Sequence, residues 1–294
     1  MKRGCWEGAV RCGCYAAGLW VVSGAVAVVG FVVRRGAPHV TPKLLFGGVS
    51  AREALFGGAP VFDGLWPAVV GTFYLVAGAV ALAAPLGLAT GIYLAEFSRG
   101  RLKEVLTVFF DVLAGVPSVV VGLFGFSVSL LLHQMVSPRF GPCLLVAASS
   151  LMILVLPYVI RATQSALEGV PQEVRITALS LGADPVQNLA WVLLPQSLRG
   201  IASGLLLAVG RCAEDTAVIL LTGVVVTAGV PRSLLDPFEA LPFYIYYVST
   251  QYASPEELER GFGAALILLG VSVSLFAVAY AVRRAVGHWA LYRA

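Results

Sequence analysis

Six long apolar runs leave this 294-residue chain few ways to fold. A helix needs roughly 20 predominantly apolar residues to cross the hydrocarbon of a bilayer, and residues 15–33, 67–94, 105–132, 143–160, 201–228 and 262–282 meet or approach that length. Inside hydrocarbon every backbone N–H and C=O must be satisfied within the protein, which restricts a spanning chain to helices or a closed barrel. No stretch shows the sustained alternation that barrel strands require. The chain is therefore predicted to be an all-α integral membrane protein with six transmembrane helices. Only 12% of its residues are charged and its mean hydropathy is +0.87, which places it far from soluble proteins.

An even number of spans puts both termini on one side. With the chain threaded this way, twelve Lys and Arg fall on the side of the termini and seven opposite, so the termini are expected in the cytoplasm of a plasma (inner) membrane protein. The net charge of +4 follows this loop bias and does not point to nucleic acid. The first run is long for a cleavable signal and no small-x-small site follows it, so it is expected to persist as a signal anchor. The five cysteines form no CxxC and no metal-ligand spacing. No metal or cofactor is expected.

Between the fourth and fifth runs lies a stretch of different character, residues 170–195. Pro171 can open a helix and Gly182 can end it. Asp184, Pro185 and Gln187 then supply an N-cap, a first-turn proline and the N3 partner of a capping box. Two short helices on the cytoplasmic side are predicted. On the second, Val186, Leu189, Ala190, Leu193 and Leu194 form an apolar stripe backed by Gln187, Asn188 and Trp191, a surface that needs a partner.

The fifth run carries Arg211, Glu214, Asp215 and Thr216 among apolar residues. A charge in hydrocarbon costs several kcal/mol unless paired or facing water, so such a cluster marks a functional site by default. On a continuous helix both acids lie within one turn of Arg211, at i+3 and i+4. One reading is an anion step, in which the planar guanidinium fork meets an oxyanion and Thr216 adds a hydroxyl. The other is an ion pair that only fixes the bundle. Two acids against one Arg leave an excess negative charge, which predicts a second arginine nearby.

Elsewhere, Pro85 is expected to kink the second span, and residues 114–118 (AGVPS) to break the third. Asp111 is either an interface residue or part of the pathway. Residues 34–64 read as an external loop with a short helix capped by Ser50, and residues 229–260 as an external region whose aromatics form an interfacial belt or meet a partner. Ser254 and Glu257 spell a capping box ahead of the last span. The organisation follows as an anchor helix and external loop (1–64), a transmembrane domain (65–284) with its hairpin at 170–195, and a cytoplasmic tail (285–294).

Two sets of residues resemble a known family. Thr177-Ala178, Gly182 and Val192, Leu194 and Pro195 are similar in spacing to the EAA loop of ABC importer permeases, with Ile176 where that loop has its Glu. The run from Gly210 through Ala217, with Leu220 to Gly223, resembles the corresponding segment of phosphate permeases of the PstA type. Asp215 stands there for the family Glu, Glu214 for a Gly and Val218 for a Pro. Trp66 to Thr72 and Leu156 to Arg161 are similar too, so the resemblance covers about residues 64 to 284.

It implies a type I (MetI-like) importer permease, with Arg161 and Arg211 tied to phosphate passage; Asp215, Glu214 and Thr216 are expected on the same pathway from the charged cluster itself. Ala178, Gly182, Ala183, Leu194 and Pro195 would be at the contact with a cytoplasmic ATPase. A homologous second permease and an external phosphate-binding protein are implied as partners. The chain holds no GxxxxGK followed by Ser or Thr, so ATP hydrolysis is assigned to another subunit. A permease for molybdate or phosphonate, the partner phosphate permease, a stand-alone anion carrier or channel, and a membrane scaffold are the alternatives.

Overall fold

The computed structural model describes residues 2–56, 61, 63–137, 141–224 and 229–292. Among these the chain is helical apart from an isolated bridge between Val224 and Glu239. In order the helices are α1 (Lys2–Gly36), α2 (Pro42–Phe46), α3 (Ala51–Phe56), α4 (Trp66–Ile92), α5 (Gly100–Ala114), α6 (Ser118–Met135), α7 (Leu144–Glu168), α8 (Gln172–Ser180), α9 (Pro185–Asn188), α10 (Leu194–Glu214), α11 (Ala217–Thr222), α12 (Leu241–Gln251) and α13 (Pro255–Tyr292). A π-helical turn at Tyr93–Phe97 extends α4, and another at Leu189–Leu193 joins α9 to α10. Six of the described stretches are long and apolar enough to cross a membrane: Val10–His39, Trp66–Phe97, Ser118–Met135, Leu144–Glu168, Pro185–Glu214 and Pro255–Ala285.

Two predicted spans differ in their limits. The third, residues 105–132, is divided between α5 and α6. Gly115 closes α5, and Pro117, with no N–H to continue the ladder, stands at the N-cap of α6. Only α6 belongs to the spanning set. The fifth, residues 201–228, begins earlier, in the hairpin itself, and its helix stops at Glu214 because Asp215 takes an extended backbone (φ −72°, ψ 123°). The short α11 resumes after this break, and residues 225–228 lie outside the described ones. Pro85 and Pro157 are carried inside α4 and α7 without ending either helix. Residues 285–292, expected as a tail, continue α13.

Helix α7 is the centre of the bundle, and glycines on its neighbours explain how closely they approach. Gly87 and Gly91 of α4 face Val159, Ile160 and Thr163; Gly200 and Gly204 of α10 face Ala166 and Ala162; Gly125 of α6 faces Ser150. A Cβ at Gly204 would stand 2.1 Å from the Ala162 Cβ. Lipid tails are as apolar as leucine, so spanning helices associate through this kind of contact between small residues. The core around α7 includes Leu75, Val76, Leu151, Val155, Val159, Ala208 and Cys212.

At the far end of α4, Gly71 leaves room for the Glu239 carbonyl, which would be 2.1 Å from a Cβ there. Thr72 Oγ accepts the Leu241 N–H at 3.0 Å. The segment 229–240 is thus folded over this end of the bundle and continues as α12. Its aromatics divide accordingly. Tyr246, Tyr247 and Tyr252 are exposed, as a belt requires, but Phe238 is fully buried and belongs to the core.

Residues 34–56, expected as part of a loop, are largely helical. Helix α1 runs on to Gly36, and Arg35 pairs with Glu259 of α13. Ser50 caps α3 as predicted, its Oγ accepting the Glu53 N–H at 3.3 Å. Ser254 accepts the Glu257 N–H at 3.3 Å, while the Glu257 carboxylate takes the N–H of Ala253 rather than that of Ser254.

Candidate translocation and coupling sites

The hairpin has the predicted caps. Asp184 accepts the Gln187 N–H at 2.8 Å and Gln187 Oε1 accepts the Asp184 N–H at 3.1 Å, a reciprocal capping box. At the end of α8 the N–H of Ala183 bonds the Ala178 carbonyl and that of Gly182 bonds the Leu179 carbonyl, each at 3.0 Å. This double closure needs a left-handed residue, and Gly182 provides it with φ +87°.

The apolar stripe is oriented differently from the prediction. Leu193 is buried and Leu189 is partly buried against Leu167 and Val170 at the end of α7. Trp191, expected to back the stripe, is 74% exposed, as are Leu181 (85%) and Val186 (62%). Ile176 and Leu179 of α8 are exposed as well. The reason is the π turn at Leu189–Leu193, whose extra residue per turn shifts the register of the face. Of the expected coupling residues, Gly182 is exposed, while Ala178, Ala183, Leu194 and Pro195 are half-buried behind this rim.

A residue that sequence reasoning missed holds the hairpin in place. Arg175 Nη1 lies 2.9 and 3.0 Å from the two carboxylate oxygens of Glu96, in the π turn after α4. Its Nε donates to the Val170 carbonyl at 3.2 Å and its Nη2 to that of Leu167. Its own carbonyl accepts Asn188 Nδ2 at 3.1 Å. One side chain thereby ties α8 to the hairpin-side ends of α4 and α7, and its main chain ties it to α9.

The charged cluster is not arranged as a continuous helix would have it. Arg211, near the end of α10, contacts Tyr158 of α7, with its guanidinium carbon 5.5 Å from the ring centroid and Nη2 3.5 Å from the hydroxyl. Its predicted pairing with Glu214 and Asp215 does not form. The helix ends between them, and Asp215 instead accepts the Val218 N–H at 2.8 Å, satisfying the start of α11. Glu214 is exposed, and Thr216 stands at the N-cap position of α11 without a side-chain cap bond.

A second arginine, Arg161, stands one turn along α7 from Tyr158, but its carboxylate partner is Asp111 rather than Glu214 or Asp215. Residues at i and i+3 share a helix face, so Arg161 lies on the same side of α7 as Tyr158. Arg161 grips Asp111 of α5 through two hydrogen bonds, Nε to Oδ1 at 2.7 Å and Nη2 to Oδ2. That hydrogen bond holds the Asp111 carboxyl below the usual carboxylate range, against a smaller opposing effect of burial. Arg161 Nη1 donates to Gln164 at 3.2 Å, Gln164 to Glu168 at 3.0 Å, and Lys103 to Glu168 at 2.7 Å. This ladder stitches α5 to α7. Asp111 is paired with Arg161, and its side chain remains 52% exposed.

The family described as the binding-protein-dependent transport system inner membrane component matches residues 87–288, more than half of the chain. The chain belongs to that family. This permease is 36% identical over 227 residues to the phosphate transport system permease protein PstA 1 of Mycobacterium tuberculosis (strain CDC 1551 / Oshkosh), covering 75% of this chain and 70% of that protein. It is 31% identical over 210 residues to the phosphate transport system permease protein PstA of Haemophilus influenzae, covering 71% and 72%.

Among solved structures, a chain of the inward-facing MetNI methionine ABC transporter aligns with TM-score 0.58 at 16% identity, over 81% of this chain and 99% of that one. A chain of a bacterial ABC transporter that imports the acidic polysaccharide alginate aligns with TM-score 0.59 at 14% identity, over 90% and 95%. These share the fold, that of a MetI-like ABC importer permease. The predicted six-span, all-helical architecture is the observed one.

Proposed function

We propose that this permease carries inorganic phosphate through the membrane as one subunit of an ATP-driven importer. The observation that carries the reading is a pair of arginines on neighbouring helices, Arg211 of α10 against the Tyr158 ring and Arg161 one turn further along α7. Guanidinium forks at successive levels suit an anion with several equivalent oxygens. The relatives named as phosphate permeases support phosphate over molybdate or phosphonate. Glu214, Asp215 and Thr216 border this route at the break between α10 and α11 and shape its charge.

The exposed rim of Leu181, Val186 and Trp191 is the docking face for a separate ATPase, which supplies the hydrolysis. Nucleotide moves the pathway between inward- and outward-facing states only through differential affinity for the two. The exposed apolar face of α5, with Val105, Phe109 and Val112, is covered by a second permease, and an external protein delivers the anion. The hairpin and both termini lie in the cytoplasm.

Proteoliposomes holding the complete transporter provide the test. Uptake of labelled phosphate is expected to require internal or external ATP on the hairpin side and the binding protein, and to be displaced poorly by molybdate. Uptake that follows an ion gradient without ATP would replace this reading with a stand-alone carrier.

A further inference from the structure

Arg161 and Arg211 are prepared differently for an anion. Arg211 faces an aromatic ring and a hydroxyl, whereas the Nε–Nη2 edge of Arg161 is filled by the Asp111 carboxylate and its Nη1 by Gln164. The edge taken by Asp111 is the one that matches two oxygens of a carboxylate or of a phosphate. Occupation by one excludes the other.

We propose that Asp111 is an internal competitor for the transported anion, filling the Arg161 fork whenever phosphate does not and setting how readily the pathway lets phosphate go. The inference rests on the phosphate-pathway reading of Arg161. An unpaired guanidinium on the pathway would be an uncompensated positive charge when the pathway is empty and would hold an oxyanion too firmly when it is full. A tethered carboxylate answers both problems, since it neutralises the cation at rest and recaptures it as the anion leaves.

The surrounding structure allows the exchange. Asp111 lies in the last turn of α5, whose helix ends at Gly115 before Pro117 begins α6. This joint lets the end of α5 shift, while Lys103 and Glu168 keep its other end on α7. Helix α7 runs from the external segment toward the hairpin, so Tyr158 and Arg211 lie one turn outward of Arg161. An arriving anion meets the open arginine first and displaces Asp111 from the second.

The test is equilibrium binding of labelled inorganic phosphate to the purified permease–ATPase complex without the binding protein, comparing wild type, Asp111→Asn, Asp111→Glu and the double variant Asp111→Asn with Arg161→Ala. Asp111→Asn is expected to bind phosphate about tenfold or more tightly and to turn over more slowly at saturation. Asp111→Glu, which keeps the carboxylate and controls for folding, should bind as wild type does, and the double variant should lose the gain.

Unchanged affinity in a monodisperse Asp111→Asn complex, or an equal gain in Asp111→Glu, overturns the competitor role. If the gain appears with molybdate or a phosphonate and not with phosphate, the competitor role stands and the phosphate reading falls.

Discussion

Arg175 and Glu96, 79 residues apart in sequence, form the ion pair on which the α8–α9 hairpin hangs, with Nη1 at 2.9 and 3.0 Å from the two carboxylate oxygens. Their side chains are only 19% and 16% exposed. The pair joins the end of a spanning helix to the element proposed to contact the ATPase, so force applied to α8 reaches α4 without passing through a loop.

Removing one partner leaves the other charge largely buried and unpaired, a loss of about 3 kcal/mol for well-buried pairs. Arg175→Ala is expected to lower the melting temperature in detergent and to separate ATP turnover from phosphate uptake. Glu96→Gln, which keeps the shape and one acceptor, should melt closer to wild type yet show the same uncoupling. Full coupling in both variants would mean that the hairpin is held elsewhere.

The exposed rim of the hairpin calls for the opposite outcome. Trp191 is 74% exposed, so Trp191→Ala should leave the permease as stable as wild type. Buried aromatic anchors at interfaces contribute about 2 kcal/mol or more, and the ATPase should co-purify with this variant in much smaller amounts. Retention of the ATPase at wild-type stoichiometry would move the docking face away from Trp191.

The hairpin also shows what could be read in advance. The caps at Asp184 and Gly182 are local, because a side chain and a backbone three or five residues apart decide them, and they appear as predicted. The six spans follow from hydropathy alone. The Arg175–Glu96 and Arg161–Asp111 pairs join positions 79 and 50 residues apart, and no single-chain pattern selects one acid among several. The pairing predicted for Arg211 assumed one unbroken helix through Asp215. That carboxylate instead caps α11, a local alternative that competes with helix continuation for Asp residues.

Glycine spacing on α10 gives a packing prediction. A Cβ at Gly204 would stand 2.1 Å from Ala162 and one at Gly200 2.6 Å from Ala166. Gly204→Leu must push α10 away from α7, and overpacking of this kind costs about 1–3 kcal/mol. Thermal unfolding in detergent should show a lowered midpoint. Gly270→Leu, at a glycine with nothing within 4 Å, should show none, and equal melting of the two variants would contradict the close α7–α10 packing.

The pH dependence follows from Asp111. Its carboxyl is held below its ordinary value of 3.8, so the pair with Arg161 is fully formed above that value and is lost only as pH falls through the lower folded-state pKa. Between pH 5.5 and 8 the uptake profiles of wild type and Asp111→Asn are therefore expected to be parallel, differing in height but not in shape. An inflection in that window present in wild type and absent from Asp111→Asn would show that Asp111 takes up a proton there.

Phosphate-stimulated ATP turnover by the purified assembly bears most directly on the central claim. With the external binding protein present, phosphate should raise ATP hydrolysis several-fold in the wild type, and Arg211→Lys should lose most of that rise while keeping its basal rate, because lysine offers a point charge and no planar fork. If phosphate leaves ATP turnover unchanged in the wild type, or if Arg211→Lys responds as fully, then Arg211 and Arg161 are not the phosphate route.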